Sequence, residues 1–183
     1  MNTTFANRIK SCTAARESRE EHTDFILDHP DNLSHLVLYA FNSADKNSHK
    51  ACWILELVAQ QRLECLEPYL DFIFSSLGKL THESSIRPLA KVCQILVEGH
   101  FKNTHNEINL SELQLQKVTE SCFDWLIGET KVASKVYSIR TLFLLGQHFD
   151  WIHPELKTIL EKETHEHSPA YKVASREILK KLR

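Results

Sequence analysis

A chain of 183 residues, 42% of them hydrophobic and 25% charged, is long enough to bury roughly 70% of its unfolded surface, and this usage excludes a disordered or fibrous protein. Four glycines and five prolines are too few turn residues for a β-sandwich and leave few breaks for helices. The formal net charge of −2 exerts no global pull towards phosphate backbones or acidic membrane surfaces, so nucleic acid is disfavoured as a partner.

Apolar residues recur at helical spacing almost throughout, and helices are predicted over 4–17, 18–28, 31–42, 48–63, 67–78, 85–100, 110–127, 132–148, 154–163 and 169–182. Helix starts carry the residues that satisfy or tolerate orphan N–H groups. Pro68 and Pro154 suit first turns, Ser84-Ser85 precede the helix carrying Pro88, Ser111 and Gln114 have capping-box spacing, and Ser168-Pro169 opens the last helix. Gly99 to Asn109, containing Lys102-Asn103-Thr104-His105-Asn106, interrupts the periodicity and reads as an inter-helix loop. No apolar run approaches the roughly 20 residues of a membrane span, and Met1 to Lys10 lacks a signal-peptide hydrophobic stretch. Cys12, Cys52, Cys65, Cys93 and Cys122 are an odd number with no Cys-x-x-Cys pair, which reads as reduced thiols and a cytoplasmic setting.

Repetition turns these helices into an architecture. The segments Lys50-Ala51-Cys52-Trp53-Ile54-Leu55, Leu89-Ala90-Lys91-Val92-Cys93-Gln94, Tyr137-Ser138-Ile139-Arg140-Thr141-Leu142 and Val173-Ala174-Ser175-Arg176-Glu177-Ile178 each place a small residue second, and three of the four follow it with an aliphatic residue four positions later. The small residues lie 39, 48 and 36 positions apart, near the repeat length of about 40–47 residues of two-helix solenoid units. Partner helices lie between them, with apolar sets Leu70, Ile73, Phe74 and Leu77, then Leu115, Val118, Cys122, Trp125 and Leu126, then Leu156, Ile159 and Leu160. These patterns resemble the HEAT-repeat family, whose second helix often shows Arg-x-x-Ala, as in Arg87-Pro88-Leu89-Ala90; Ser48, Lys135 and Tyr171 stand where the other arginines would be. The resemblance implies an all-α fold, an α-α superhelix or right-handed solenoid of about four to five HEAT-like antiparallel helix pairs. The chain is expected to form one domain over 1–183, with 1–45 as an N-terminal cap and 46–183 as repeats.

No phosphate-cradling glycine loop, Gly-x-Ser-x-Gly or His-Glu-x-x-His occurs, so no cofactor and no metal are expected. The densest histidine cluster, His165-Glu166-His167, has the wrong spacing for helix-borne zinc ligands and suits a solvated loop. The cysteines fall on apolar stripes and suit core packing; the alternative, a cysteine nucleophile, needs a neighbouring base such as His100 or His148. Ser84-Ser85-Ile86-Arg87-Pro88-Leu89-Ala90-Lys91 resembles part of the Ser-Ser-x-x-Pro-x-Lys signature of the fumarase and adenylosuccinate lyase superfamily, although its lysine comes one residue late. Helix capping explains the same residues. A second enzymatic or nucleic-acid-binding alternative is a HEAT-like DNA glycosylase, for which Asp150-Trp151 is the relevant pair.

Lys172, Arg176, Lys180 and Arg183 share one face of the last helix, which either complements its macrodipole or forms a basic patch. Arg140 and Trp53 occupy positions equivalent to Arg176, with Val92 breaking the row. Trp53 suits either an interface anchor or the core. The expected function is a non-catalytic protein-interaction scaffold that presents a curved helical surface to a protein partner. Its candidate binding residues lie on the second helices of the pairs: Lys50, Trp53, Glu56, Gln60, Arg87, Lys91, Gln94, Arg140, Gln147, Lys172 and Arg176.

Overall fold

The computed structural model describes residues 3–102, 108–163 and 168–182; the His165-Glu166-His167 cluster, Arg183 and positions 103–107 of the expected loop lie outside the described residues. Among the described residues ten α-helices follow one another: α1 (Thr3–Ser11), α2 (Arg16–Asp28), α3 (Leu33–Ala40), α4 (Ser48–Gln61), α5 (Leu70–Ser76), α6 (Glu83–Lys102), α7 (Glu112–Ile127), α8 (Val132–Leu145), α9 (Ile152–Glu163) and α10 (Pro169–Lys181). No strand occurs among the described residues. The even-numbered helices pack in series, α2 on α4, α4 on α6, α6 on α8 and α8 on α10, while α3, α7 and α9 pack against them and α5 packs on α7. This is an all-α helical solenoid in which each pair buries its apolar face against its neighbours.

The helix boundaries depart from the predicted ones where local hydrogen bonds compete. The first helix stops at Ser11, not at residue 17: Ser11 Oγ donates to the Arg8 carbonyl (2.7 Å), and Thr13 N–H donates to Ser18 Oγ (3.1 Å). The predicted helix over 67–78 is a short α5 between two 3-10 turns, Leu63–Tyr69 and Leu77–Lys79, with Pro68 inside the first. Proline lacks the N–H that an α-helical interior requires, so the tight turn ends where the chain can resume i→i−4 bonding. The capping box forms as predicted: Ser111 Oγ accepts from Gln114 N–H (3.3 Å), and Gln114 Oε1 accepts from Ser111 N–H (2.9 Å). At the last helix Pro169 takes the first turn, but the Ser168 side chain makes no capping bond. Gly99 to Lys102 continue α6 and are not loop.

Gly146, directly after α8, is required by close approach: a Cβ there would sit 2.0 Å from the His153 ring, whose Nε2 lies 2.9 Å from the Phe143 carbonyl.

One polar knot ties the α3–α4 connection. Tyr39 is fully buried, and its hydroxyl donates to Asp45 Oδ2 (2.6 Å); Asp45 Oδ1 accepts from the Asn47 backbone N–H (2.9 Å) and side-chain amide (3.0 Å). The Tyr39 hydroxyl, followed by the Asn47 backbone N–H, holds the Asp45 carboxyl down at about 2. Replacing Asp45 with alanine leaves the Tyr39 hydroxyl unsatisfied and should cost about 1–3 kcal/mol at pH 7. A depressed carboxylate contributes stability above its unfolded value of about 3.9 and loses it as pH falls through its folded value. Urea denaturation should therefore show the wild-type advantage shrinking from about pH 4 towards pH 2; a gap independent of pH would exclude this role for Asp45.

Candidate interaction surface

Burial along the even helices sets their register. Ala51, Cys52, Ile54, Leu55 and Val58 of α4 are buried, as are Leu89, Ala90, Val92, Cys93 and Leu96 of α6, Ser138, Ile139, Thr141, Leu142 and Leu145 of α8, and Ala174, Ser175 and Ile178 of α10. Superimposing these patterns makes Ala51, Leu89, Ser138 and Ala174 equivalent. The sequence alignment of Ala90 with Ala51 is thus one residue out in α6. In the observed register all four helices carry an apolar residue four positions on: Leu55, Cys93, Leu142 and Ile178.

The shift removes the supposed break in the row. Val92 is fully buried, and Lys91 takes the place between Trp53 and Arg140. Trp53, Lys91, Arg140 and Arg176 then stand at equivalent positions of four successive helices, two of them half-buried and the two arginines exposed. Lys91 Nζ lies 5.2 Å from the centre of the Tyr137 ring of α8, and Trp53 meets His49 edge-on at 4.8 Å. Gln60, Glu98 and Gln147 form a second row about two helical turns further on.

Other candidates serve the stack more than the surface. Glu56 is 7% and Gln94 5% exposed, so neither is the surface residue expected from the sequence. Both point between helices because the even helices pack side by side and bury two flanks each. Glu56 Oε2 accepts from an Arg87 terminal nitrogen (3.1 Å), which joins α4 to α6, and Gln94 Nε2 donates to Glu98 Oε1 (2.7 Å). Burial pushes the Glu56 carboxyl up from its ordinary value, and Arg87, Arg19 and Lys91 pull it back in that order. Lys50 is half-buried and donates its ammonium to the Lys10 carbonyl of α1. Gln60, Gln147 and Arg176 are exposed, and Lys172 is half-buried.

Two grooves flank the row. One, of about 440 Å³, is lined by Arg19, Trp53, Glu83, Ser84, Arg87 and Lys131 along with Ala14. The other, of about 300 Å³, lies between α6, α8 and α10, where Arg140 meets Gln94, Glu98, Glu177 and Lys181. The Lys181 ammonium, bonded to Glu177 Oε1 at 2.9 Å, holds the Glu177 carboxyl below its ordinary range, with a smaller contribution from Arg140. Arg19 and Lys131 were missed by sequence reasoning. Arg19 sits on α2, whose pattern repeats poorly, and Lys131 stands outside the helical periodicity as the residue preceding α8.

The alternatives fare differently. Ser84 and Ser85 lie in the first turns of α6, with Ser85 3% exposed, so the lyase-like fragment is a helix start and no catalytic loop. Asp150 and Trp151 are exposed, but Trp151 stacks on Phe123 of α7 (5.5 Å) in a groove that Glu112 and Glu120 line; no residue of the basic row lines it. Cys52, Cys93 and Cys122 are fully buried, and burial pushes each thiol up, Cys52 and Cys122 to about 12. Such thiols are inert as nucleophiles. His100 Nδ1 accepts from the Leu110 N–H, and His148 pairs with Glu112 at 2.7 Å. Among the described residues no three His, Cys, Asp or Glu side chains converge as metal ligands, and no helix is long and apolar enough to cross a membrane.

Comparison with known proteins finds no match among curated proteins and none among solved structures. A family model described as a HEAT repeat domain matches residues 10–182. With two layers of paired helices stacked in series, and that match over nearly its whole length, the chain belongs to the HEAT repeat family.

Proposed function

We propose that the chain is a non-catalytic, cytoplasmic interaction scaffold whose second-helix face receives an acidic segment of a partner protein. The observation that carries this reading is the continuous row of Trp53, Lys91, Arg140 and Arg176 on four successive helices. Equivalent positions of stacked repeats line one surface, so a single extended segment can touch all four. A half-buried tryptophan beside three cations offers an aromatic anchor and charge complementarity, the two elements that concentrate binding energy and steer association. The first 45 residues act as the cap of the stack, with α2 packed on α4.

Reversing two charges of the row, Arg140→Glu with Arg176→Glu, should lower affinity for a captured acidic partner about tenfold or more while leaving the fold intact, because both side chains are exposed. Unchanged capture, measured beside an unchanged circular dichroism spectrum, would remove the row from the interface. The same basic row favours one second reading, a duplex cradle. Its signature is a DNA mobility shift that weakens steeply with salt; absence of any shift at low salt excludes it.

A further inference from the structure

The groove beside Trp53 carries more positive charge than its surroundings neutralise, and we propose that it is a binding site for a phosphomonoester. Its walls come from four successive elements: Arg19 of α2, Trp53 of α4, Glu83, Ser84 and Arg87 of α6, and Lys131 at the start of α8. Three cations face two carboxylates: Glu83, whose Oε1 already accepts from Ser134 Oγ (2.6 Å), and Glu56, which is paired with Arg87 and within electrostatic reach of Arg19. Arg87 spends one nitrogen on Glu56. Arg19 and Lys131 have no carboxylate at ion-pair distance among the described residues. The Nε of Arg19 is buried and makes no hydrogen bond, as is also true of the Arg8 Nε outside the groove. A buried guanidinium N–H without an acceptor is costly, and native proteins rarely leave one so.

The Arg19 Nε exposes no surface to the groove, so an oxyanion there would meet Arg19 through the part of its side chain that lines the wall. Planar guanidinium forks match the oxygens of a phosphoryl group, and an anion complements the positive charge that Glu56 and Glu83 leave over. A groove of about 440 Å³ admits the phosphoryl group and the atoms that carry it, with the Trp53 indole as a flat wall. The start of α6 contributes little: the backbone N–H groups of Ser84, Ser85 and Ile86 already donate to His82, to its Nδ1 or its carbonyl. The three cations carry the site; it shares Trp53 with the basic row, but neither Arg140 nor Arg176 lines it.

The test follows the side-chain Nε–H resonance of Arg19 and the indole N–H of Trp53 by NMR, at constant ionic strength, as O-phosphoserine or a nonapeptide with a central phosphoserine is added. Both resonances should shift saturably at pH 7.5 and more weakly at pH 5, because the phosphate's second pKa is about 6. The unphosphorylated peptide should shift neither. Arg19→Gln and Lys131→Gln should each weaken binding about tenfold, the effect of losing one charge-assisted contact; the Arg140→Glu, Arg176→Glu pair should leave it unchanged. Lys131 is exposed, so its variant remains informative should the Arg19 variant fold poorly. Equal affinity for the free amino acid and the peptide assigns a small phosphomonoester, and tenfold tighter peptide binding assigns a phosphorylated segment of another chain; either supports the site. Shifts that rise linearly, that chloride reproduces, or that Lys131→Gln leaves untouched would overturn it.

Discussion

Leu89→Ala should destabilise the protein by about 2–5 kcal/mol, because a fully buried leucine at a helix-to-helix contact loses its transfer energy and leaves a cavity its neighbours fill only in part. The location makes the upper half of that range the expectation. Leu89 stands where α4, α8 and α10 have Ala51, Ser138 and Ala174, and α6 packs on α4 on one side and α8 on the other. A large side chain held between two neighbours has little room to be replaced by collapse. The converse change at an equivalent position, Ser138→Leu, inserts bulk where α8 packs between α6 and α10 and should cost about 1–3 kcal/mol. Thermal or urea denaturation measures both. If Leu89→Ala costs under 1 kcal/mol, the contact is not the tight one that the burial pattern describes.

Arg87→Ala should cost about 2 kcal/mol near pH 8 and less at pH 5. Removing one partner of a buried pair leaves an uncompensated charge, an effect of about 3–5 kcal/mol when both groups are fully buried. Here the Arg87 side chain is 34% exposed and Arg19 and Lys91 remain within electrostatic reach of Glu56, which reduces the expected loss. The sign of the pH dependence follows from Glu56. Its folded-state carboxyl is raised by burial, so it favours the folded state at low pH and ceases to do so as pH rises through its folded value. Without Arg87 that value climbs further, and the charged form bears the penalty. Adding Glu56→Gln to Arg87→Ala should therefore recover most of the loss at pH 8, since a neutral amide needs no counter-ion. Equal costs at pH 5 and pH 8, or a double variant less stable than Arg87→Ala alone, would show that the pair is not the reason Arg87 matters.

Much of the architecture was legible in the chain because helix periodicity and capping are local properties. Apolar residues spaced for a helix, the Ser111–Gln114 box and the recurrence of small residues led to a stack of helix pairs without any tertiary information. One sign of the register error was also visible. Gln94 was the only residue four positions after a supposed small residue that was not aliphatic, and shifting α6 by one residue replaces it with Cys93. A one-residue slip turns a helix by about 100°, which puts Val92 into the surface row and Lys91 outside it.

Residue chemistry was a poorer guide to exposure. Glu56 and Gln94 are polar and were expected at the surface, yet each lies between two even helices, where Arg87 and Glu98 satisfy them. Periodicity reveals which stripe is apolar, whereas the width of the buried face depends on how many neighbours a helix has, and that is a property of the stack.

Helices, their pairing and the family are legible from spacing along a single chain, apart from the bounds of α1 and α5 and the register of α6. Only the tertiary structure decided which cations share a surface. Arg19, Arg87 and Lys131 are 68 and 44 residues apart in succession, and no local rule links them; the side-by-side packing of α2, α4, α6 and α8 brings them to one groove around Trp53. It also decided that the Arg19 Nε would be buried without an acceptor, because desolvation depends on what packs over an atom and not on the residues beside it in the chain.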